Sequence, residues 1–268
     1  MTDGSETERV LFSIRDAIAT VSLNRPDQLN ALDTATLQLL RRSIMRASSD
    51  DSVRCLVLTG RGRAFCAGAD VKEWAGGYSE TNDDETSGDW TSLAHGIITT
   101  LYNFPKPVIA AVNGVAVGAG FDLCLAADFR IAAEAARFGS VYVRLGIPPD
   151  AGASFFLPRI VGLTKAKELI YTGRIFSSDE ALKIGVVSEV VPSEDLMDAT
   201  GRWATELADG PTVAIGLAKA NLQDHQAMSL ESALRSEQRA ARIAMETADH
   251  KEGLEAVSSK RPPSFRGR

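Results

Sequence analysis

Cysteine and histidine are scarce in these 268 residues, three of each, and long apolar runs are missing. Three cysteines, Cys55, Cys66 and Cys124, cannot build a disulfide framework, and none has the C-x-x-C spacing of a zinc or redox site. Their thiols are expected to be reduced, which points to the cytoplasm. His95, His225 and His250 form no H-x-x-x-H pair, so no metal site is expected, and no G-x-S-x-G elbow offers a serine nucleophile. The most apolar stretch, residues 107–133, is interrupted by Asn113, Asp122, Asp128 and Arg130. It falls short of the roughly 18–20 unbroken apolar residues that span a membrane. Residues 1–9 are polar and acidic, without the apolar segment of a signal peptide. A soluble protein with no membrane partner is therefore expected. Basic charge is also in deficit: 29 Lys and Arg stand against 35 Asp and Glu, a net charge of −6. Nucleic-acid binders draw their affinity mainly from cations on phosphates, so no nucleic-acid partner is expected.

What is present reads as an α/β chain. Residues 10–14 and 17–23 are predicted as strands joined by a turn at Arg15-Asp16, the second alternating through Ile18, Val21 and Leu23. Residues 34–48 follow as an amphipathic helix with Leu37, Leu40 and Ile44 on one face and Asp33 as its N-cap. A buried strand at 54–58 leads into a glycine-bearing loop, 59–70. Residues 73–89 are polar and acidic, and a mobile surface segment is expected there. A helix at 93–104, a strand at 108–112, a glycine-rich turn at 114–120, a helix at 121–127 and a strand at 129–132 come next. Beyond Asp150 the chain reads as mostly helical, with a strand at 186–191 and long helices at 194–208, 213–222 and 230–248. Strand, glycine-rich turn and helix in alternation define the α/β class. No linker separates the two halves, which gives one domain, 1–268, with a helical appendage.

Three turns are candidates for chemistry. Ala64-Phe65-Cys66-Ala67-Gly68-Ala69-Asp70 follows a strand, and its small residues let a ligand approach the backbone; a tight strand-to-helix turn would need the same residues. Asn113-Gly114-Val115-Ala116-Val117-Gly118-Ala119-Gly120-Phe121-Asp122 opens a helix, whose free N–H groups suit an anion; close helix–strand packing would also explain its glycines. Pro148-Pro149-Asp150-Ala151-Gly152 places Asp150 where a helix would begin, as a plain N-cap or as a reactive carboxylate. Neither Gly118-Ala119-Gly120 nor Gly60-Arg61-Gly62 completes G-x-G-x-x-G, and no P-loop occurs. Asp122 and Asp150, each near a helix start, are the acid–base candidates, with Asp70 reading as a cap. His95 reads as structural.

These motifs together resemble the enoyl-CoA hydratase/isomerase family, the crotonase superfamily. The likeness runs from about Val10 to Phe265. It rests on Asn24-Arg25-Pro26 with Leu29-Asn30-Ala31-Leu32, on the two small-residue turns, on Pro105-Lys106-Pro107 with the strand after it, and on Leu157-Pro158-Arg159-Ile160-Val161-Gly162. The resemblance implies a spiral of repeated β-β-α units over about 10–195. C-terminal helices over about 196–268 would build a homotrimer or a dimer of trimers. It implies an acyl-CoA thioester as substrate, with coenzyme A arriving as part of it and no separate cofactor. It also implies an enolate held by two backbone N–H groups, which fall on Ala69 and Ala119. One such donor is worth about 3–4 kcal/mol in a transition state. The same likeness assigns substrate contacts to Arg25, Ala31, Ala67, Gly68, Asp70, Gly118 and Tyr142, and to Lys260 and Phe265 reaching in from a neighbouring subunit.

The chain departs from the hydratase pattern where that pattern carries its acids. Aspartate, Asp122, replaces one glutamate, and Tyr142 replaces the other; a phenol of pKa about 10 is a poor base at neutral pH. Asp150 stands where hydratases have glycine, as in dienoyl-CoA isomerases, the epoxyphenylacetyl-CoA isomerase type and chlorobenzoyl-CoA dehalogenases. The expectation is double-bond isomerisation, with Asp150 as main proton carrier and Asp122 second. Hydration, dehalogenation and a catalytically silent acyl-CoA binder are the alternatives.

Overall fold

The computed structural model describes residues 8–75 and 90–268; most of the acidic segment expected to be mobile lies outside them. The chain opens with a hairpin, β1 (Val10–Arg15) and β2 (Ile18–Leu23), in antiparallel register from Val10↔Leu23 to Arg15↔Ile18. Its turn falls on Asp16 and Ala17, both at positive φ, one residue later than the sequence suggested. This is the geometry whose twist matches a two-residue hairpin. Helix α1 (Thr34–Ser49) is capped by Asp33, which accepts from the Thr36 N–H at 2.8 Å, and buries Leu37, Leu40 and Ile44.

From there the chain repeats one unit. A strand joins a first sheet, a short strand joins a second, and a helix leads back. The strands are β3 (Cys55–Gly60) then β4 (Ala64–Cys66), β5 (Val108–Val112) then β6 (Val115–Val117), and β7 (Phe129–Ala133) then β8 (Arg137–Gly139). The helices between them are α2 (Val71–Ala75), α3 (Trp90–Tyr102) and α4 (Ala119–Ala126). After α5 (Ala153–Val161), α6 (Leu163–Thr172), β9 (Phe176–Ser177) and α7 (Ser178–Lys183), strand β10 (Glu189–Val191) closes the first sheet. The first sheet runs β1-β2-β3-β5-β7-β10 and the second β4-β6-β8-β9. All neighbours from β2 to β10 in the first sheet are parallel. β3 and β5 are buried at every residue, as parallel strands covered on both faces must be. Alternate side chains divide accordingly. Leu56, Leu58, Val108 and Ala110 enter the main core with α1, α3 and α4, while Cys55, Val57, Ile109 and Ala111 pack under α8 (Leu196–Asp209).

The sequence presents β4 as part of a loop and β6 as part of a glycine-rich turn, and it gives no sign of β8. Three-residue strands carry too little alternation to be seen, and their pairing is set by partners some fifty residues away, such as Ala64↔Val115. The helix foreseen at 230–248 is two: α10 (Leu230–Met245) ends before Thr247, whose hydroxyl caps α11 (Ala248–Ser259). With α9 (Thr212–Asp224) these form the C-terminal layer. No residue of α10 is buried, and Leu230, Leu234 and Ile243 stand exposed.

Candidate active site

Two turns meet through glycine. Gly68, at φ +90°, lies so close to the start of α4 that an added Cβ would sit 3.0 Å from the Val117 carbonyl oxygen and 3.4 Å from the Ala119 nitrogen. Gly120 presses α4 against β4; a Cβ there would fall 2.2 Å from the Cys66 carbonyl. Among the described residues nothing accepts from the Ala69 N–H. The Leu32 N–H donates to the Gly68 carbonyl at 2.8 Å and the Asp70 N–H to the Leu32 carbonyl at 3.0 Å. That parallel bridge turns the Ala69 N–H away from Leu32. Ala119 is the first residue of α4, so no carbonyl within the helix can receive its N–H.

Ala67, Gly68, Ala69, Gly118 and Ala119 line one cavity of about 360 Å³, with Tyr142 and Asp150 beside them and Trp90, Val141 and Ile147 among its apolar walls. Asp150 does not cap α5. The N-cap is Gly152, at φ +115°, and it holds the helix start two residues beyond Asp150, leaving that carboxyl at the cavity. Its Oδ1 has no hydrogen-bond partner among the described residues. Burial raises the Asp150 carboxyl, opposed by hydrogen bonding from Tyr142 and its own N–H and by His95.

Asp122 is fully buried and lies behind the cavity rather than on its wall. The Tyr142 hydroxyl, on a 3-10 turn (Val141–Leu145), donates to its Oδ2 at 2.5 Å. Asp122 Oδ1 has no hydrogen-bond partner among the described residues. Burial pushes this carboxyl up to about 7, against the pull of the Tyr142 hydrogen bond and with the charge of Asp150 adding to the rise. Burial and the two carboxyls drive the phenol itself far above its usual range. The sequence offers both aspartates as acids and Tyr142 as a substrate contact that stands where a base is missing; the structure bonds its hydroxyl to Asp122. His95 makes a backbone contact, in keeping with the structural role read for it. Helix α3 carries it to the Asp150 loop, where its Nε2 lies 2.6 Å from the Asp150 carbonyl. A carbonyl only accepts, so Nε2 carries the proton. No sequence spacing connects positions 95 and 150.

Three predicted contacts are occupied within the chain. Arg25 donates to the Ala31 carbonyl at 2.6 Å and to Asp70 Oδ2 at 3.0 Å, and lies 3.2 Å from Asp33 Oδ2. This clamp ties Arg25, Ala31 and Asp70 together beneath the first turn, and none of the three lines the cavity. A phosphate would have to compete with two carboxylates for that guanidinium. Asp70 also caps, accepting from the Lys72 N–H at 3.2 Å. Lys260 ends α11, and the Phe265 carbonyl is held by Arg54 at 3.1 Å; neither residue lines the cavity of its own chain.

A larger hollow of about 1000 Å³, lined by Lys106, Thr212 and Lys219 among others, shares no residue with the first. Among the described residues no group of three or more His, Cys, Asp or Glu is placed to hold a metal. No described helix is long and apolar enough to cross a membrane.

The family model described as enoyl-CoA hydratase/isomerase matches residues 13–268. A 1,2-epoxyphenylacetyl-CoA isomerase of Escherichia coli is 36% identical, across 97% of this chain and 99% of its own. A crotonyl-CoA hydratase of Syntrophomonas wolfei is 34% identical, across 96% and 98%. The crystal structure of an enoyl-CoA hydratase from Bacillus anthracis superposes with a TM-score of 0.91 at 37% identity, covering 97% of this chain and all of that one.

Proposed function

The chain belongs to the enoyl-CoA hydratase/isomerase family, the crotonase superfamily, and is an enzyme of a kind that acts on acyl-CoA thioesters; from that premise we propose that it shifts a double bond rather than adding water. The thioester oxygen is received by the Ala69 and Ala119 N–H groups. Asp150 takes a proton from carbon, the electron pair moves onto the oxygen as an enolate forms, and the proton returns at another carbon. Asp122 is the second acid of the pair. Donors fixed in place before charge develops cost no reorganisation during the step. The observation that carries this assignment is placement: Asp150 lines the cavity shared by both turns, and a phenol, not a second carboxylate, stands beside it. The substrate class is a 3-enoyl-CoA or a ring-bearing acyl-CoA. Proton transfer of this kind is redox-neutral and calls for no cofactor beyond the coenzyme A of the substrate.

Hydration is the second possibility, favoured by the hydratase names of several relatives. The purified protein is to be assayed with crotonyl-CoA, 3-hexenoyl-CoA and a 3,5-dienoyl-CoA. Isomerisation abolished by at least 100-fold in Asp150→Asn is the expected result, since acid–base groups contribute about 10²–10⁴-fold. Rapid hydration of crotonyl-CoA would sink the isomerase assignment, and acyl-CoA binding without turnover would make the protein a binder only.

We propose further that residues of about 196–268 pack against other copies of the chain in a trimer. The support is α10, whose apolar side chains Leu230, Leu234 and Ile243 find no cover in their own chain. Sedimentation of a monomer at micromolar concentration would refute it. Three buried, unpaired cysteines suit a reducing cytoplasm.

A further inference from the structure

We infer that Asp122, Tyr142 and Asp150 form one proton-sharing unit, in which Tyr142 is a positioning residue and Asp122 holds a proton behind the cavity so that Asp150 meets substrate as a carboxylate. This rests on the assignment of Asp150 as the proton carrier. Three observations support it. Tyr142 is buried and donates to Asp122 Oδ2 at 2.5 Å. The same residue lines the cavity beside Asp150 and draws that carboxyl toward its charged form. Each aspartate keeps a buried Oδ1 with no partner among the described residues. A phenol has one proton to give and lone pairs to receive another. For it to bond both carboxyls at once, one of them must be protonated. Two carboxylates in so dry a space cannot both be charged cheaply.

Transfer within the unit is balanced. An O–H bond breaks on Asp150 as one forms on the Tyr142 oxygen. The original Tyr142 O–H bond breaks as one forms on Asp122. The phenol stays neutral and no atom leaves. Few other ionisable groups face this unit. His95 on α3 touches Asp150 through its backbone carbonyl, Arg144 on the 3-10 turn of Tyr142 lines the same cavity, and Cys124 on α4 and Cys66 on β4 are buried thiols raised by their burial. From α5 the nearest group is the Ala153 N–H, and β6 contributes no ionisable side chain.

The test compares wild type, Tyr142→Phe, Asp122→Asn and the double variant over a pH series with the best isomerisation substrate. Each single change is expected to lower kcat about 10-fold or more with KM held within about 2-fold. The double variant should lose no more than the worse single, because both break the same unit. In Tyr142→Phe the acid limb of the profile moves to higher pH, since the donor that favours the carboxylates is gone. Infrared titration of the ligand-free protein gives a readout independent of turnover. A carboxyl titrating near neutral pH in wild type should vanish in Asp122→Asn and move upward in Tyr142→Phe. Losses that multiply, or a Tyr142→Phe profile that does not move, would overturn the proposal. If Asp150→Asn is dead while Tyr142→Phe and Asp122→Asn keep full activity, the unit fails and the assignment of Asp150 stands. If Asp150→Asn keeps full activity, the assignment itself fails.

Discussion

The large hollow and the cavity beside the two turns treat their polar groups in opposite ways. Around the hollow three buried or half-buried cations are spent. Lys106 donates to the carbonyls of Ala47, Ser48 and Asp50, closing the end of α1. Arg54 gathers Gly210, Thr212 and the Phe265 carbonyl, and Lys219 pairs with Asp128 at 2.8 Å. Beside the turns, carboxyl oxygens and backbone N–H groups are left over. Buried polar groups without partners cost stability. A region that keeps several together must be put to use by something that arrives. The comparison favours the smaller cavity as the proposed site: volume says how much fits, and unspent polar atoms say what can happen there.

The largest way to sharpen this contrast is pH. The Asp122 carboxyl is held near 7, above its ordinary value of 3.8. Its contribution to stability is therefore fully present below pH 4 and is lost as the pH rises through about 7. Asp122→Asn removes that titration. Between pH 4 and pH 8, wild type should lose up to about 4 kcal/mol relative to the variant, measured by urea denaturation at the two pH values. Curves that run parallel would mean that Asp122 is no drier than a surface carboxylate, and the contrast between the regions would break. Lys219→Met is the counterpart on the spent side. It strands Asp128, whose other support is the Val108 N–H at 2.8 Å. A loss of about 2–3 kcal/mol is expected, at the low end for a broken buried pair because Asp128 is partly exposed. Activity per folded molecule should not change.

How much of this could be read from the sequence follows from the range of each interaction. The apolar runs at 54–58 and 108–112 announce strands without help from their neighbours, and the structure places β3 and β5 there. Asp33 announces a cap, because the N–H it serves is three residues away. The two turns announce free N–H groups, because small residues and a helix start are local features. The rest is long-range. β4 and β6 exist because they meet each other, and three residues each cannot say so in advance. Asp122, Tyr142 and Asp150 are separated by 20 and 8 residues, intervals that match neither a helix nor a strand. Their union depends on how the 3-10 turn is laid across α4. Arg25 shows the same limit from the other side. Its motif was visible, but the two carboxylates that occupy its guanidinium are 8 and 45 residues further on.

The smallest effect separates charge from capping at Asp33, on the spent side of the comparison. This carboxyl accepts from the Thr36 N–H at 2.8 Å and faces Arg9 and Arg25. Burial tends to raise it, but the Thr36 hydrogen bonds and the two guanidinium groups prevail and hold it below its ordinary value. Its stabilisation is therefore present at neutral pH and lost as the pH falls through the carboxylate range. Asp33→Ala removes cap and charge together and should cost about 1 kcal/mol. Asp33→Asn keeps an oxygen for the Thr36 N–H and leaves Arg25 its bond to Asp70, so a loss of only a few tenths, about 0.3 kcal/mol, is expected. Thermal melts at pH 7 decide between the two roles. An Asn variant as unstable as the Ala variant would show that the clamp under the first turn, rather than the helix cap, is what Asp33 chiefly supports. The Ala69 turn would then depend on that ion cluster, and the division between spent and unspent regions would be less complete than the geometry implies.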